Sequence, residues 1–275
     1  MRALVFSAGG AFGAYQAGAW QALEERGFRP EIVVGASVGA INAAAVARGC
    51  SAKRLQQWWR DPTSDVFRWN WPPKRLGLLD PRPLESRLEE LFREFRPSAE
   101  GVKLLVTLTE LSSTRIRVIS DGRVTPRALL ASCAVPFVYP PLKLEGRWYA
   151  DGGLFCRLPL QVAAEAGATE IVSVDLLAAP PSVLLRGVMN AAIRLRRLWV
   201  RETTSLPEGI RECRVEPSRP LGGSFEMLRW DLARVNRWIE TGYADAAAAW
   251  ERFCRESHAS AAQPSSPVAE RIAPI

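Results

Sequence analysis

Gly35-Ala36-Ser37-Val38-Gly39 follows the run Glu31 to Val34 and precedes Ala40 to Arg48, a stretch of helix formers closed by Gly49. A serine held between glycines at a strand-to-helix turn has its hydroxyl pushed out of the backbone at a sheet edge. The glycines carry no Cβ that would collide with neighbouring chain. The spot is also a helix N-terminus, where free N–H groups, that of Val38 among them, favour developing negative charge. Ser37 therefore reads either as a nucleophile or as a simple N-cap. By chance alone the pattern arises roughly 0.1 times in a chain of this composition, so its surroundings decide.

Ser7-Ala8-Gly9-Gly10-Ala11-Phe12-Gly13 is the second glycine-rich turn. It misses the dinucleotide pattern G-x-G-x-x-G, because position 8 is Ala. Gly13 to Gly18 is followed by Ala19-Trp20, not by the Lys-Ser/Thr of a phosphate-binding loop. The second strand also ends without an acidic residue for a ribose. N–H groups at a helix start, with no side chains in the way, suit a tetrahedral oxyanion instead, and Gly9 and Gly10 are the candidate donors. A tight turn without a ligand is the plainer alternative.

A serine nucleophile needs a base. The chain has one histidine, His258, in the small polar stretch from Ser257 to Pro267, which reads as a disordered tail over 257–275. Among carboxylates, Asp151 in Trp148-Tyr149-Ala150-Asp151-Gly152-Gly153 stands out, since two glycines after a strand let another element approach closely. Asp-Gly is equally a hairpin signal.

The elements that must position these residues follow from the apolar pattern. Ala3 to Ser7, then Gly13 to Arg26 ending at Gly27, then Glu31 to Val34, then Ala40 to Arg48 form a β-α-β-α unit. Its strands are parallel, so Gly9, Gly10 and Ser37 face one crevice at their C-terminal ends. Further strands are expected at Lys103 to Thr109, Arg115 to Ser120, Arg147 to Ala150, Glu170 to Leu176 and Glu212 to Val215. Helices are expected from Pro126, over Pro159 to Ala166, and over Leu184 to Arg201 and Phe225 to Arg255. No internal repeat or linker divides the chain, so residues 1–256 are expected to form one α/β domain with a helical C-terminal portion.

Composition narrows the function. With 275 residues and 48% hydrophobic side chains, the chain can bury a sizeable core. Its apolar runs reach about ten residues, against roughly 20 for a bilayer span, and Met1 to Gly10 meets glycine too early for a signal peptide. The expectation is a cytoplasmic protein whose membrane contact, if any, is peripheral. Five scattered cysteines without C-x-x-C argue against a disulfide framework and a zinc site. The net charge is +7, yet 32 of 36 basic residues are Arg spread along the chain, so no nucleic-acid footprint is read from it. Trp58, Trp59, Phe67, Trp69 and Trp71, with Pro72-Pro73-Lys74-Arg75 after them, suit a lipid interface or acyl-chain lid, or equally a satellite core. Leu184 to Arg201 is basic and amphipathic, either a membrane-surface helix or a core-packed one with a solvated Arg face.

Four blocks together are more specific than any one of them. Phe6 to Gly18, Gly35 to Ala40, Ala131-Ser132-Cys133-Ala134-Val135-Pro136 and Asp151-Gly152-Gly153, in this order within residues 1–177, resemble the patatin-like phospholipase family. The resemblance implies a three-layer α/β/α fold with a mainly parallel sheet and hydrolysis of fatty acyl esters of lipids. It implies a Ser37–Asp151 dyad without histidine and an oxyanion hole from Gly9, Gly10 and Val38. Gly13, Gly35, Gly39, Gly152 and Gly153 belong to its motifs. It implies no cofactor and no metal. Two positions depart from the family pattern: Ala8 replaces the first glycine of the oxyanion block and Phe12 its basic residue. They motivate one alternative, a catalytically impaired lipid-binding protein. A Ser-His-Asp esterase using His258 is the other. Head group, chain length and oligomeric state are not written in the sequence.

Overall fold

The computed structural model describes residues 1–68, 77–96, 101–178 and 206–262. The predicted Leu184 to Arg201 helix lies outside these residues, as do Trp69, Trp71 and Pro72 to Arg75.

Eight strands form one mixed sheet. They are β1 (Arg2–Phe6), β2 (Ile32–Ala36), β3 (Lys103–Glu110), β4 (Arg115–Ser120), β5 (Leu142–Leu144), β6 (Arg147–Ala150), β7 (Glu170–Val174) and β8 (Arg211–Val215). β3, β2, β1, β7 and β8 run parallel in that order. β4 and β6 pair antiparallel with β3, and β5 with β6. β2 is buried throughout and β1 from Ala3 to Phe6, as expected of parallel strands covered on both faces.

Side chains alternate between the faces. Leu4, Phe6, Val33, Val106 and Val174 enter the larger core, with α1 (Gly13–Glu25), α2 (Val38–Ala47), α3 (Ala52–Arg60), α4 (Arg82–Glu94) and α5 (Pro126–Ser132). Ala3, Val5, Ile32, Val34 and Ile171 face a smaller core covered by α6 (Leu160–Glu165). The result is the three-layer arrangement the sequence implies.

The C-terminal helical portion departs from expectation at both ends. Phe225 does not begin the long helix. Glu226–Leu228 is a separate 3₁₀ turn, and α7 runs from Leu232 to Ala262. Residues 257–262 are thus helical and not tail. Alanine is the strongest helix former, and Ser257 returns its hydroxyl to Phe253 O (2.8 Å). α7 packs on α1 with almost no space between the backbones. A Cβ on Gly18 would lie 1.9 Å from Ile239 O, and one on Gly242 2.1 Å from Tyr15 O.

Candidate active site

The meeting of Ser37 and Asp151 follows from the register of β3. Ala36, the last residue of β2, pairs with Thr107, and Ala150, the last of β6, pairs with Thr109. β4 overlaps both neighbours along β3, so β2 and β6 must share the opposite edge. One strand arrives parallel and the other antiparallel. The next residue of each, Ser37 and Asp151, therefore comes level with Leu108 from opposite directions.

Ser37 adopts φ 55°, ψ −130°, a conformation costly for any residue with a Cβ. The surrounding turn leaves it no alternative. A Cβ on Gly35 would lie 2.3 Å from Gly39 O, and one on Gly39 2.5 Å from Phe6 O. The Ser37 N–H donates to Ser132 Oγ (3.0 Å), whose hydroxyl donates to Thr107 O (2.8 Å). Ser132 thus ties the turn to β3, a role that its place in a sequence block did not reveal.

Asp151 is buried. Its N–H donates to Ala134 O (2.9 Å), and its backbone oxygen accepts from Thr109 Oγ1 (2.8 Å). Gly153 N–H donates to Oδ1 (2.7 Å), while buried Oδ2 has no hydrogen-bond partner among the described residues. Burial pushes the carboxyl up to about 6, opposed by the Ser37 hydroxyl and by the Gly153 and Leu154 N–H groups. Adjacent Cys133 is also buried. Desolvation and the Asp151 charge hold its thiol well above the ordinary range, so it stays protonated and weakly nucleophilic.

The glycine loop closes the other side. Ser7 N–H donates to Val174 O (3.1 Å), Ala8 N–H to Arg157 O (2.9 Å), and Leu176 N–H to Ser7 Oγ (2.9 Å). Gly10 sits at φ 56°, and a Cβ there would lie 2.3 Å from Met227 O. Among the described residues the N–H groups of Gly9, Gly10 and Val38 have no acceptor. Ala8 is compatible with this loop. Its φ is not positive, and its methyl occupies the space that a Cβ on Gly153 would fill, 2.3 Å away. Phe12 turns into the core, edge-on to Trp238 with ring centroids 5.2 Å apart, so neither departure obstructs the loop.

A buried amide network fixes the neighbouring wall, and sequence reading missed it. Gln16 Nε2 donates to Ser7 O (2.8 Å), Asn42 Nδ2 to Gly13 O (3.0 Å) and to Gln16 Oε1 (2.8 Å), and Trp59 Nε1 to Asn42 Oδ1 (3.0 Å). Trp59 stands so close to Gly13 that a Cβ there would lie 2.7 Å from its ring.

The Ser37 turn, Asp151, Cys133, the Ala8–Gly10 loop and Trp59 border one cavity of about 480 Å³. Ser37, Asp151, Gly9, Gly10, Val38 and Gly153 line it together with Trp58, Trp59, Phe67, Leu84, Phe137, Met227 and Leu228. The described part of the aromatic cluster is therefore at once core and cavity wall. His258 belongs elsewhere. The neighbouring Ser257 hydroxyl accepts from Arg211, which opens β8 at the sheet edge opposite Ser37. Among the described residues, no three His, Cys, Asp or Glu side chains gather as a metal site, and no helix is long and apolar enough to cross a membrane.

Fold and site together define a three-layer α/β protein with a strained serine facing a buried carboxyl in an apolar cavity. The profile of the family described as patatin-like phospholipase matches residues 4–164, and the chain belongs to that family. It is 26% identical over 208 residues to the uncharacterized protein YqhO of Bacillus subtilis, covering 62% of this chain and 70% of that protein. Over 183 residues it is 28% identical to patatin-like phospholipase domain-containing protein 7 of Rattus norvegicus, covering 63% of this chain but only 13% of that one. Over 187 residues it is 29% identical to lysophospholipase nte1 of Aspergillus terreus, covering 63% of this chain and 12% of the other. The crystal structure of VipD from Legionella pneumophila has a similar fold, with a TM-score of 0.51 and 16% identity over 92% of this chain and 67% of that chain.

Proposed function

We propose that the protein is a serine acyl hydrolase that cleaves carboxylic esters of lipids through Ser37 and Asp151. The observation that carries this reading is the free Oδ2 of a buried, basic-shifted carboxyl beside the Ser37 turn, in a cavity that also receives three unpaired N–H groups. Family membership and the phospholipase and lysophospholipase names of two relatives support a lipid ester as substrate.

In this mechanism Asp151 takes the hydroxyl proton as Ser37 Oγ attacks the ester carbonyl. The N–H groups of Gly9, Gly10 and Val38 receive the oxyanion, each such donor typically contributing about 3 kcal/mol to the transition state. Asp151 returns the proton to the departing alkoxide, leaving an acyl-serine. Water then attacks the acyl carbon, with Asp151 again as base. The apolar walls hold the acyl chain. Phe137, 83% exposed at φ 68°, and exposed Val135 form an apolar rim where the protein would meet a membrane surface.

Hydrolysis of p-nitrophenyl and lysophospholipid esters tests the reading. Ser37→Ala and Asp151→Asn should each abolish turnover in folded protein, and a fluorophosphonate probe should label Ser37. Full activity of Asp151→Asn would remove the dyad.

A further inference from the structure

Arg157 is a charge in the cavity that the chemistry above does not use. It follows the 3₁₀ turn Gly152–Leu154, and its carbonyl accepts the Ala8 N–H, which places its backbone beside the glycine loop. Arg157 is among the residues that line the cavity. Among the described lining residues it is the sole cation.

Its guanidinium is anchored at one end. Nη1 donates to Oδ1 of Asp175, a carboxylate with no solvent exposure at the end of β7. Asp175 also accepts from Arg214 Nη2 (2.8 Å) and from the Leu177 N–H (3.1 Å). Arg214 is paired in turn with Glu216 (2.7 Å), and Arg157 contacts the shared Asp175 carboxylate through Nη1 alone. Its Nε and Nη2 have no acceptor among the described residues, and its side chain keeps 24% exposure. A rigid guanidinium with two free donors matches the oxygens of a phosphate better than a flexible ammonium would.

The other side of the loop supplies no competing cation. Phe12 is buried, and the first turn of α1 reads Gly13-Ala14-Tyr15-Gln16. An anion entering with its acyl chain in the cavity and its ester at Ser37 therefore meets Arg157.

We propose that Arg157 is a specificity-determining residue: it forms an anion subsite for the phosphate of a single-chain glycerophospholipid, so that phosphate-bearing esters are favoured over uncharged acylglycerols. This rests on the acyl hydrolase reading above and specifies its substrate class.

The test compares a 1-acylglycerol 3-phosphate with the 1-acylglycerol of the same chain, both kept below their aggregation thresholds, in wild type, Arg157→Gln and Arg157→Lys. The wild type should prefer the phosphate ester. In Arg157→Gln the ratio of the two kcat/KM values should fall roughly tenfold to a hundredfold, the range for a charged hydrogen bond, and mainly through KM. Arg157→Lys, which keeps the charge beside Asp175, should recover part of the ratio and also serves if the Gln variant does not fold. An equal loss on both esters would make Arg157 a brace for Asp175 and Ala8 only, and an unchanged ratio would remove the subsite.

A second arm needs no turnover. Binding of a single-chain alkyl phosphate and of the matching alkanol to Ser37→Ala is followed by the fluorescence of Trp58 and Trp59. The phosphate should bind tighter, and adding Arg157→Gln should erase the difference. Equal binding overturns the subsite. Selective phosphate binding by a wild-type protein that hydrolyses neither ester overturns the acyl hydrolase reading while leaving the subsite standing.

Discussion

Asp151→Asn should make the protein more stable, and by an amount that depends on pH. The carboxyl stands at about 6 in the folded protein against an ordinary 3.8, because burial disfavours its charge more than the Ser37 hydroxyl and the Gly153 and Leu154 N–H groups restore. Below about pH 4 it is protonated in the folded and unfolded chain alike, and no penalty exists. As pH rises toward 6 the unfolded chain ionises first, so folding becomes less favourable. Above about 6 the folded state bears the whole cost. A rise of two units corresponds to roughly 3 kcal/mol. An asparagine keeps the Gly153 N–H···Oδ1 bond and never ionises, and its other costs do not vary with pH. The melting-temperature difference between variant and wild type should therefore grow by roughly 5 °C from pH 4 to pH 7, measured by scanning calorimetry across that range. A difference flat in pH, or one that shrinks as pH rises, would refute the reasoning, since it would mean the carboxylate is stabilised where it sits. The wild-type kcat/KM should fall about tenfold per unit below pH 6 for the same reason.

Three further outcomes follow from the geometry. Ser37→Gly should melt above Ser37→Ala by about 1 kcal/mol, since glycine relieves the φ 55°, ψ −130° backbone while losing some chain entropy, and equal melting would remove the strain. Ser132→Ala leaves the Ser37 N–H and Thr107 O buried without their bridge, so it should cost about 2 kcal/mol in thermal melts and lower kcat more than KM; unaltered kcat would show that Ser132 does not hold the turn. His258→Gln should leave ester hydrolysis unchanged, and a tenfold loss would point to an imidazole mechanism.

What the sequence made legible was local. The β1 and β2 strands, the two glycine turns and the helices after them could be read because apolar runs and glycines mark both ends of each element. Asp151 was harder, since Asp-Gly after a strand signals a hairpin equally well, and only the set of blocks singled it out. The buried polar framework was not legible. Ser132 reaches the Ser37 N–H across 95 residues of chain, and the Gln16, Asn42 and Trp59 network joins three helices, so nothing in any one segment announces these contacts. At the C-terminus, Phe225, Met227 and Leu228 look continuous with the following helix. The chain instead breaks before Leu232, which lets Met227 O come against Gly10. The end of α7 was misread because alanine and serine suggest a tail by composition, whereas alanine favours helix by propensity.

The two residues of the proposed dyad are carried by the same edge of β3 but on unequal moorings. β2, ending at Ala36 just before Ser37, is laddered along its length to β1 and β3. β6, ending at Ala150 just before Asp151, pairs with β3 at Thr109↔Ala150 and Glu110↔Tyr149 and is further held by β5, the Leu111 N–H bond to Trp148 O, the Arg147–Glu110 salt bridge and two bonds at Asp151 itself. Such a hairpin is the kind of unit that opens sub-globally, at a free energy below that of the parallel core. For the proposed dyad, opening of this short β5–β6 hairpin would withdraw Asp151 while leaving Ser37 and its turn in place, so folded and competent molecules would be different populations.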